Sequence, residues 1–409
     1  MNVLNTNDLR PGQIFSEPVY TEGTNLLVPA NFPLRQKDID LLVSWGIDVV
    51  KTEGNLVVDE DYEEELVLEE ILPEKFAPAA AASEAPVQTA APAKKGPAIF
   101  SITDVKQNTG PYREYKNLIE KLNSFFTGLK ADTDVEMRMV DNIGVQLLQC
   151  LRDNQDSFID FILGGEVTGN ELAKSSVNTA ILSALTSFEL KLPKHKIYNI
   201  VSGALLHDVG MLRLSKGITE KKGGLSEAEL EQIKSHPLHS SKIVQKELFG
   251  SNEVNLIAMH HHERWDGQGY PDKLVGQAID VGARIVSVAD AFEAMVSKKS
   301  YRPSMGGYQA VKNLLADNAR RFDPTVIMAF TKIMGIYPIG SIVRLNNESI
   351  ARVTNVHTIA PMRPVVQLLI DNTGNVLGPG KAQTIDLLAD KTLFIKKALD
   401  PAELNNLNV

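Results

Sequence analysis

The chain has 409 residues, 43% hydrophobic and 23% charged, the balance of an ordinary globular protein with apolar content for two or three domains. Its net charge of −9 is concentrated, because residues 57–76 hold nine acids and one base; the near-neutral remainder offers no basic face to a nucleic-acid polymer. A single cysteine, Cys150, excludes an internal disulfide framework and points to a reducing, cytoplasmic setting, and no apolar run reaches the roughly 18 residues of a membrane span.

Residues 1–56 read as a small α/β unit, and their first residues have neither the basic start nor the apolar stretch of a secretion signal. Ile14–Tyr20 and Asn25–Pro29 are short strand patterns, Lys37–Trp45 has helical apolar spacing ended by Gly46, and Asp48–Lys51 returns as a strand. Residues 57–98, acidic and then almost wholly Ala, Pro and small polar side chains, cannot build a core and read as a linker. Helical spacing from about Tyr112 to Tyr337 predicts a mainly α central domain over 99–337, with Cys150 packed in its core. From 338 to 409 the pattern turns β-rich. Ser341–Leu345, Ala351–Val356 and Val365–Ile370 are strand patterns, Asp371–Asn375 supplies a hairpin turn, and a small barrel or sheet results.

Six of the eight histidines fall in three clusters between positions 207 and 262. The first is Leu205-Leu206-His207-Asp208-Val209-Gly210, where an unpaired carboxylate buried at the end of an apolar helix would cost several kcal/mol. A divalent cation removes that cost, and the two oxygens of one carboxylate can bridge two ions. The second is Ser235-His236-Pro237-Leu238-His239. Ser226 and Glu229 form a capping box for the helix before it, and Pro237 ends that helix just after His236, which makes His236 the ligand candidate and leaves His239 outside the set.

The third cluster is His260-His261-His262-Glu263, followed by Asp266-Gly267-Gln268-Gly269-Tyr270-Pro271. Consecutive helical residues point about 100° apart, so adjacent histidines can serve neighbouring ions but three cannot face one site; His260 is the odd one out. A tight glycine loop follows, with Tyr270-Pro271 at its exit. A fourth element, Asp290, lies in the apolar run Arg284–Met295 and also needs a partner of opposite charge. His195 and His357 read as surface residues.

These motifs, taken in order, resemble the HD-GYP family between about Glu171 and Pro324. The resemblance implies an all-α HD-type domain flanked by small α/β and β-rich units. It implies a metal centre that hydrolyses cyclic di-GMP to linear pGpG or GMP in bacterial signalling. Asp208 would bridge the ions, with His207, His236, His261, His262 and Asp290 as further ligands. The family's third-metal glutamate would be Glu171, giving two or three divalent ions, iron or manganese. Asp208 and Tyr270 would be the catalytic residues, and Gly269, Tyr270, Pro271, Lys299 and Arg302 would meet the cyclic dinucleotide. Signalling proteins and a second copy of the chain are the partners it leaves open.

The sequence departs from the family pattern at three positions. The family's histidine ligand 32 residues before His207 is Ser175, a poor ligand beside imidazole, although Glu171 lies one helical turn away on the same side. The lysine that follows the His-Asp motif is Met211, and Lys299 stands where arginine is usual, so a bidentate grip on phosphate is lost there. The otherwise complete ligand set favours an enzyme of reduced activity. The alternatives are a catalytically impaired receptor or interaction protein, and an HD phosphohydrolase acting on another cyclic dinucleotide or nucleotide.

Overall fold

The computed structural model describes residues 2–58 apart from 18, 22–25 and most of 29–46, then 110–164 apart from 134, 171–297 apart from 220 and 222, 305–377 apart from 319, and 383–399. The expected linker beyond Val58, most of the Lys37–Trp45 pattern, and the substrate candidates Lys299 and Arg302 lie outside the described residues. Two separate units emerge, one of the residues up to Val58 and one of the residues from Gly110 to Leu399.

In the first unit, strands β1 (Asn2–Asn5), β3 (Val19–Tyr20), β4 (Leu26–Val28) and β5 (Val49–Thr52) make an antiparallel sheet in the order β1-β5-β3-β4. β2 (Ile14–Phe15) instead pairs with β6 (Leu56–Val58). The Ile14–Tyr20 pattern, expected as one strand, is therefore two strands in different sheets. Ser16 and Glu17 turn toward Gly54, where a Cβ would lie 2.4 Å from the Glu17 nitrogen. Alternation in β5 buries Val50 and Thr52 on one face.

The second unit opens with helices α1 (Gly110–Lys130), α2 (Met137–Gly164), α3 (Glu171–Glu189) and α4 (Lys194–Leu206). After a 3-10 turn at Val209–Arg213 come α5 (Lys216–Thr219), α6 (Glu227–Lys234), α7 (His236–Lys242), α8 (Asn252–His260), α9 (Val281–Val296), α10 (Gly307–Ala316) and α11 (Pro324–Met334). Apolar faces repeating three and four residues apart build one core, with Tyr115, Phe158 and Phe161 clustered where α1 meets α2. α3 is buried almost all round from Ala173 to Ser187 and forms the central helix of the bundle. Its buried residues include many small Ser, Thr and Ala side chains, which lets neighbouring backbones approach closely. The capping box expected at Ser226 and Glu229 is present in full.

Close approach is sharpest around Ile257 of α8. A Cβ at Gly203 of α4 would lie 2.6 Å from its Cγ2, and one at Gly282 of α9 would lie 2.6 Å from its Cδ1. These two glycines let Ile257 wedge between α4 and α9, and so hold together the helices that carry the clustered histidines and acids.

The strand patterns after residue 340 form an antiparallel sheet in the order β10-β9-β8-β7-β11, made of β7 (Ile342–Leu345), β8 (Ile350–Asn355), β9 (Val365–Ile370), β10 (Thr384–Asp386) and β11 (Ile395–Ala398). The Asp371–Asn375 turn forms as expected, with the Asp371 carboxylate accepting from the Thr373 and Asn375 amides and Gly374 at φ +89°. The sheet meets the helices where Tyr337 stacks on Tyr308 at 5.2 Å and the Ile336 amide donates to the Pro361 carbonyl. Among the described residues no helix is long and apolar enough to cross a membrane.

Overpacking the Ile257 seam should show its importance. Gly203→Ala should cost about 1–3 kcal/mol of unfolding free energy, and Ile257→Val in the same chain should recover part of it. Chemical denaturation of the two single variants and the double variant checks this; additive losses would mean that the seam yields without strain.

Candidate metal centre

Three helix ends and one helix interior bring the candidate ligands together. α4 carries His207 at its C-terminal end in helical geometry, and Asp208 then leaves the helix at φ −100°, ψ 7°. α7 starts at His236, with Pro237 in its first turn. His261 and His262 follow the last residue of α8, and Asp290 lies within α9. Gly210 lets α7 close onto the His-Asp turn, since a Cβ there would lie 2.1 Å from the His236 carbonyl oxygen. Ser240 bolts the two together: its hydroxyl donates to the His207 carbonyl at 2.7 Å and accepts the Gly210 amide at 2.8 Å.

The ligand-type atoms of Asp208, His236, His261 and His262 all lie within 4.8 Å of one another. His236 Nε2 is 3.0 Å from Asp208 Oδ1 and 3.2 Å from His261 Nε2, and His261 Nε2 is 3.8 Å from the same Oδ1. His207 Nε2 faces the other carboxylate oxygen, Asp208 Oδ2, at 3.7 Å and Asp290 Oδ1 at 3.6 Å. Orientation comes from the backbone. The Nδ1 atoms of His207, His236 and His261 each lie 2.7–3.0 Å from the carbonyl three residues earlier, at Ala204, Ile233 and Ala258. A carbonyl only accepts, so Nδ1 carries a proton and donates it, and Nε2 turns to the site as the atom free to take a proton or an ion.

That arrangement is electrostatically incomplete without a cation. His236 and His261 point lone-pair nitrogens at each other across 3.2 Å, and His207 Nε2 is buried with no hydrogen-bond partner. Burial would raise the Asp208 carboxyl, but the imidazoles of His207, His236 and His261 overcome it and hold the group well below the usual carboxylate range. Burial likewise works against charge on His207, yet the carboxylates of Asp208 and Asp290 lift it to about 9. Burial and the neighbouring His236 hold His262 down at about 3, and burial with the adjacent rings keeps His261 neutral too. Donor atoms around one ion with bonds of about 2.0–2.1 Å stand roughly 3.0–3.4 Å apart, the range of His236 Nε2 to His261 Nε2 at 3.2 Å and to Asp208 Oδ1 at 3.0 Å. The mixed nitrogen and oxygen set fits a divalent transition metal.

Beside this cluster stands the loop after α8. Gly269 packs with no room for a side chain, since a Cβ would lie 2.3 Å from the Arg264 nitrogen, and Gly267 adopts φ +75°. The Tyr270 amide donates to the His262 carbonyl at 3.3 Å, and its ring lies 5.0 Å from the His262 ring. Burial, then the charges of Asp208 and Asp290, push the Tyr270 phenol up, so it keeps its proton at neutral pH. Pro271 follows through a cis peptide bond. The loop is pinned by Glu263, a buried carboxylate that accepts the amides of Asp272, Lys273 and Leu274 at 2.6, 3.0 and 3.1 Å.

His260 turns away to Asp272 Oδ2 at 2.9 Å, His239 is half-exposed outside the cluster, and His195 is exposed. His357 pairs with Asp386 at 2.9 Å in the terminal sheet. Glu171 is exposed at the first residue of α3 and makes no hydrogen bond or ion pair with the cluster. Ser175 is buried but turned to another acid: its hydroxyl donates to Glu293 Oε2 at 2.6 Å, and Asn178 and Ser297 donate to Glu293 Oε1. Three useful residues carry no sequence signal that singled them out: Glu263, Ser240 and Arg321. The Arg321 guanidinium lies over the Phe322 ring at 5.0 Å and is in no ion pair among the described residues. Its charge is felt at both His262 and Tyr270, and its carbonyl accepts the Trp265 amide at 3.0 Å, tying it to the loop.

Comparison with known proteins gives the same region a lineage. Residues 168–326 match the HD domain family, and residues 342–407 match a KOW domain associated with HD domains. The cyclic di-GMP phosphodiesterase PdeB of Borreliella burgdorferi is 31% identical over 247 residues, 60% of this chain and 65% of that protein. The 3'3'-cGAMP-specific phosphodiesterase 3 of Vibrio cholerae is 30% identical over 216 residues, 52% of this chain and 46% of that protein. The chain thus spans less than two thirds of either relative. Among solved structures, Bd1817, a HDG"Y"P protein from Bdellovibrio bacteriovorus, superposes with a TM-score of 0.45 at 15% identity, covering 81% of this chain and 98% of that one.

The loop's dependence on Glu263 is directly measurable. Glu263→Gln keeps the size but exchanges one acceptor oxygen for a donor, so at least one of the three amides loses its partner at a cost of about 1–3 kcal/mol. Hydrogen–deuterium exchange should quicken at Asp272, Lys273 and Leu274 while the helical core stays protected; unchanged protection there would show that the loop stands without this acid.

Proposed function

Because the central helical domain belongs to the HD-GYP family, we propose that the protein is a metal-dependent phosphodiesterase that hydrolyses cyclic di-GMP to linear pGpG or GMP. The observation that carries this reading is the convergence of His236, His261 and His262 on the half-buried Asp208 carboxylate, with the first two rings aimed by backbone carbonyls. Such a set of lone pairs is costly to assemble without a cation. Asp208, His236, His261 and His262 would hold one divalent ion, and Asp208 with His207 and Asp290 would hold a second; iron or manganese suits this donor set. When bound, the ions supply Lewis acidity at the phosphoryl oxygens and make water nucleophilic at neutral pH.

The chain's own groups do the rest. Asp208 keeps both carboxylate oxygens anionic between its imidazoles, so neither needs to lose a proton before it acts. Tyr270, held protonated beside His262, can donate a hydrogen bond to a phosphate or a ribose oxygen. Gly269 allows the loop backbone to stand close to the site, and Pro271 sets its exit. Where the His-Asp motif supplies Met211 rather than lysine, Arg321 offers the positive charge beside Tyr270 and grips phosphate in a planar fork. Attack of water on phosphorus breaks one ribose–phosphate ester bond, and the leaving oxygen takes up a proton.

A second reading keeps the same cluster but another cyclic dinucleotide, and it is favoured by the cGAMP-specific relative. Steady-state hydrolysis of cyclic di-GMP and 3'3'-cGAMP by metal-loaded protein decides between them. Cyclic di-GMP should turn over, Asp208→Ala should abolish turnover and most of the bound metal, and metal-free protein should be inactive. Binding of cyclic di-GMP without turnover in any metal would mark the chain as a receptor.

Arg321→Gln tests the proposed phosphate contact. Loss of one charge-assisted hydrogen bond, worth roughly 1.5–3 kcal/mol, should raise KM about tenfold or more with a smaller change in kcat. An unchanged KM would place Arg321 outside the substrate's reach.

A further inference from the structure

The two oxygens of Asp208 serve unlike surroundings. On the Oδ1 side stand His236 Nε2 at 3.0 Å and His261 Nε2 at 3.8 Å, with His262 completing a group whose ligand atoms lie within 4.8 Å of one another. That side offers three imidazoles and a carboxylate oxygen, enough to enclose an ion with protein donors alone. On the Oδ2 side stand only His207 Nε2 at 3.7 Å and Asp290 Oδ1 at 3.6 Å from that ring. Helix α3 adds no donor to this half among the described residues, because the Ser175 hydroxyl is committed to Glu293 Oε2 at 2.6 Å and Glu171 is exposed at the helix start. Glu293, one turn beyond Asp290, is itself occupied by Ser175, Asn178 and Ser297.

We propose that the two metal positions are unequal: the Oδ1 position binds a divalent ion tightly, and the Oδ2 position takes a second ion weakly and reversibly. This rests on the reading of the cluster as a metal centre. Donor number favours the inequality. The second ion meets one protein donor fewer, must be completed by water, and enters beside a cation that already draws on the same carboxylate. Chelated protein therefore takes up metal in two separated steps. At low free metal it holds one ion per chain.

The test is a titration of chelated full-length protein with Mn2+, followed by isothermal calorimetry, by elemental analysis after desalting, and by electron paramagnetic resonance. Expected are one retained ion per chain with the six-line signal of an isolated Mn2+, and a second ion bound at least about tenfold more weakly, whose arrival broadens that signal by spin coupling. His261→Ala should remove the tight step, whereas Asp290→Asn should leave it and remove the weak one. Two ions retained with equal affinity by the wild type would overturn the proposal, as would equal losses in the two variants. Should either variant fail to fold, the wild-type titration alone still decides. Cyclic di-GMP hydrolysis followed along the same titration separates the two ideas. Stepwise uptake with no turnover at full occupancy removes the catalytic reading and leaves the unequal centre standing.

Discussion

Imidazole rings rotate freely about two bonds, and a metal-type site made from them exists only if something stops that rotation before any ion arrives. Here the stop is a hydrogen bond from Nδ1 to the carbonyl of the preceding turn, made by His207, His236 and His261 alike. Each bond does two jobs. It chooses the tautomer, so that Nε2 is the lone-pair atom, and it aims that atom at Asp208. A helix end is the natural place for such a bond, because its last carbonyls have no amide partners within the helix. The three rings that are aimed in this way all sit at helix ends, whereas Asp290, which needs no tautomer, sits within one.

From that requirement the surrounding packing follows. Helix ends can converge only if the helices approach closely, and the glycines at 203, 210 and 282 mark the places where they do. Gly203 and Gly282 seat Ile257 between α4 and α9, which brings the His207-Asp208 corner near Asp290. Gly210 brings the start of α7 against the same corner, and Ser240 fastens it there through both a carbonyl and an amide. The strained electrostatics of the cluster are thus held in place by apolar contacts made elsewhere. A close-packed interior transmits little slack, so the distances between the rings are set by the bundle as much as by the rings.

Much of this was readable in the sequence because residue type and position spoke together. A His-Asp pair ending an apolar helix, a histidine before proline and an acid in an apolar run each pose a burial problem with the same answer. The third histidine cluster was equally legible, and the 100° step between helical neighbours separated His260 from His261 and His262. What was not legible depends on reach rather than pattern. Glu263 looks like any polar residue after a histidine run, and its role appears only when residues 272–274 fold back over it. Arg321 is far from every motif in sequence, and Ser175 shows its partner only when α3 lies beside α9. Among the strands, Ile14–Tyr20 has the composition of one element, and its division reflects the close passage of Gly54, a contact distant in sequence.

Charge gives the last link between scaffold and chemistry. Asp208 and Asp290 bring two negative charges to the cluster, and these raise the proton affinity of His207 and His236 against the effect of burial, while burial and the neighbouring rings hold His261 and His262 down. Protons and metal ions then compete for the same Nε2 atoms, and whichever occupies them balances the same carboxylates. A lysine at position 211, one turn past His207, would add a permanent positive charge close to this balance. Methionine does not, so on the proposed reading a phosphodiester would be held by the ions and by the Arg321 cation beside the loop. Grip on the phosphate would thereby shift away from the His-Asp turn, which the bundle holds in place, and toward the loop that Glu263 pins. On that reading, changes at positions 211 and 321 would alter which anion is held without disturbing how the rings are aimed.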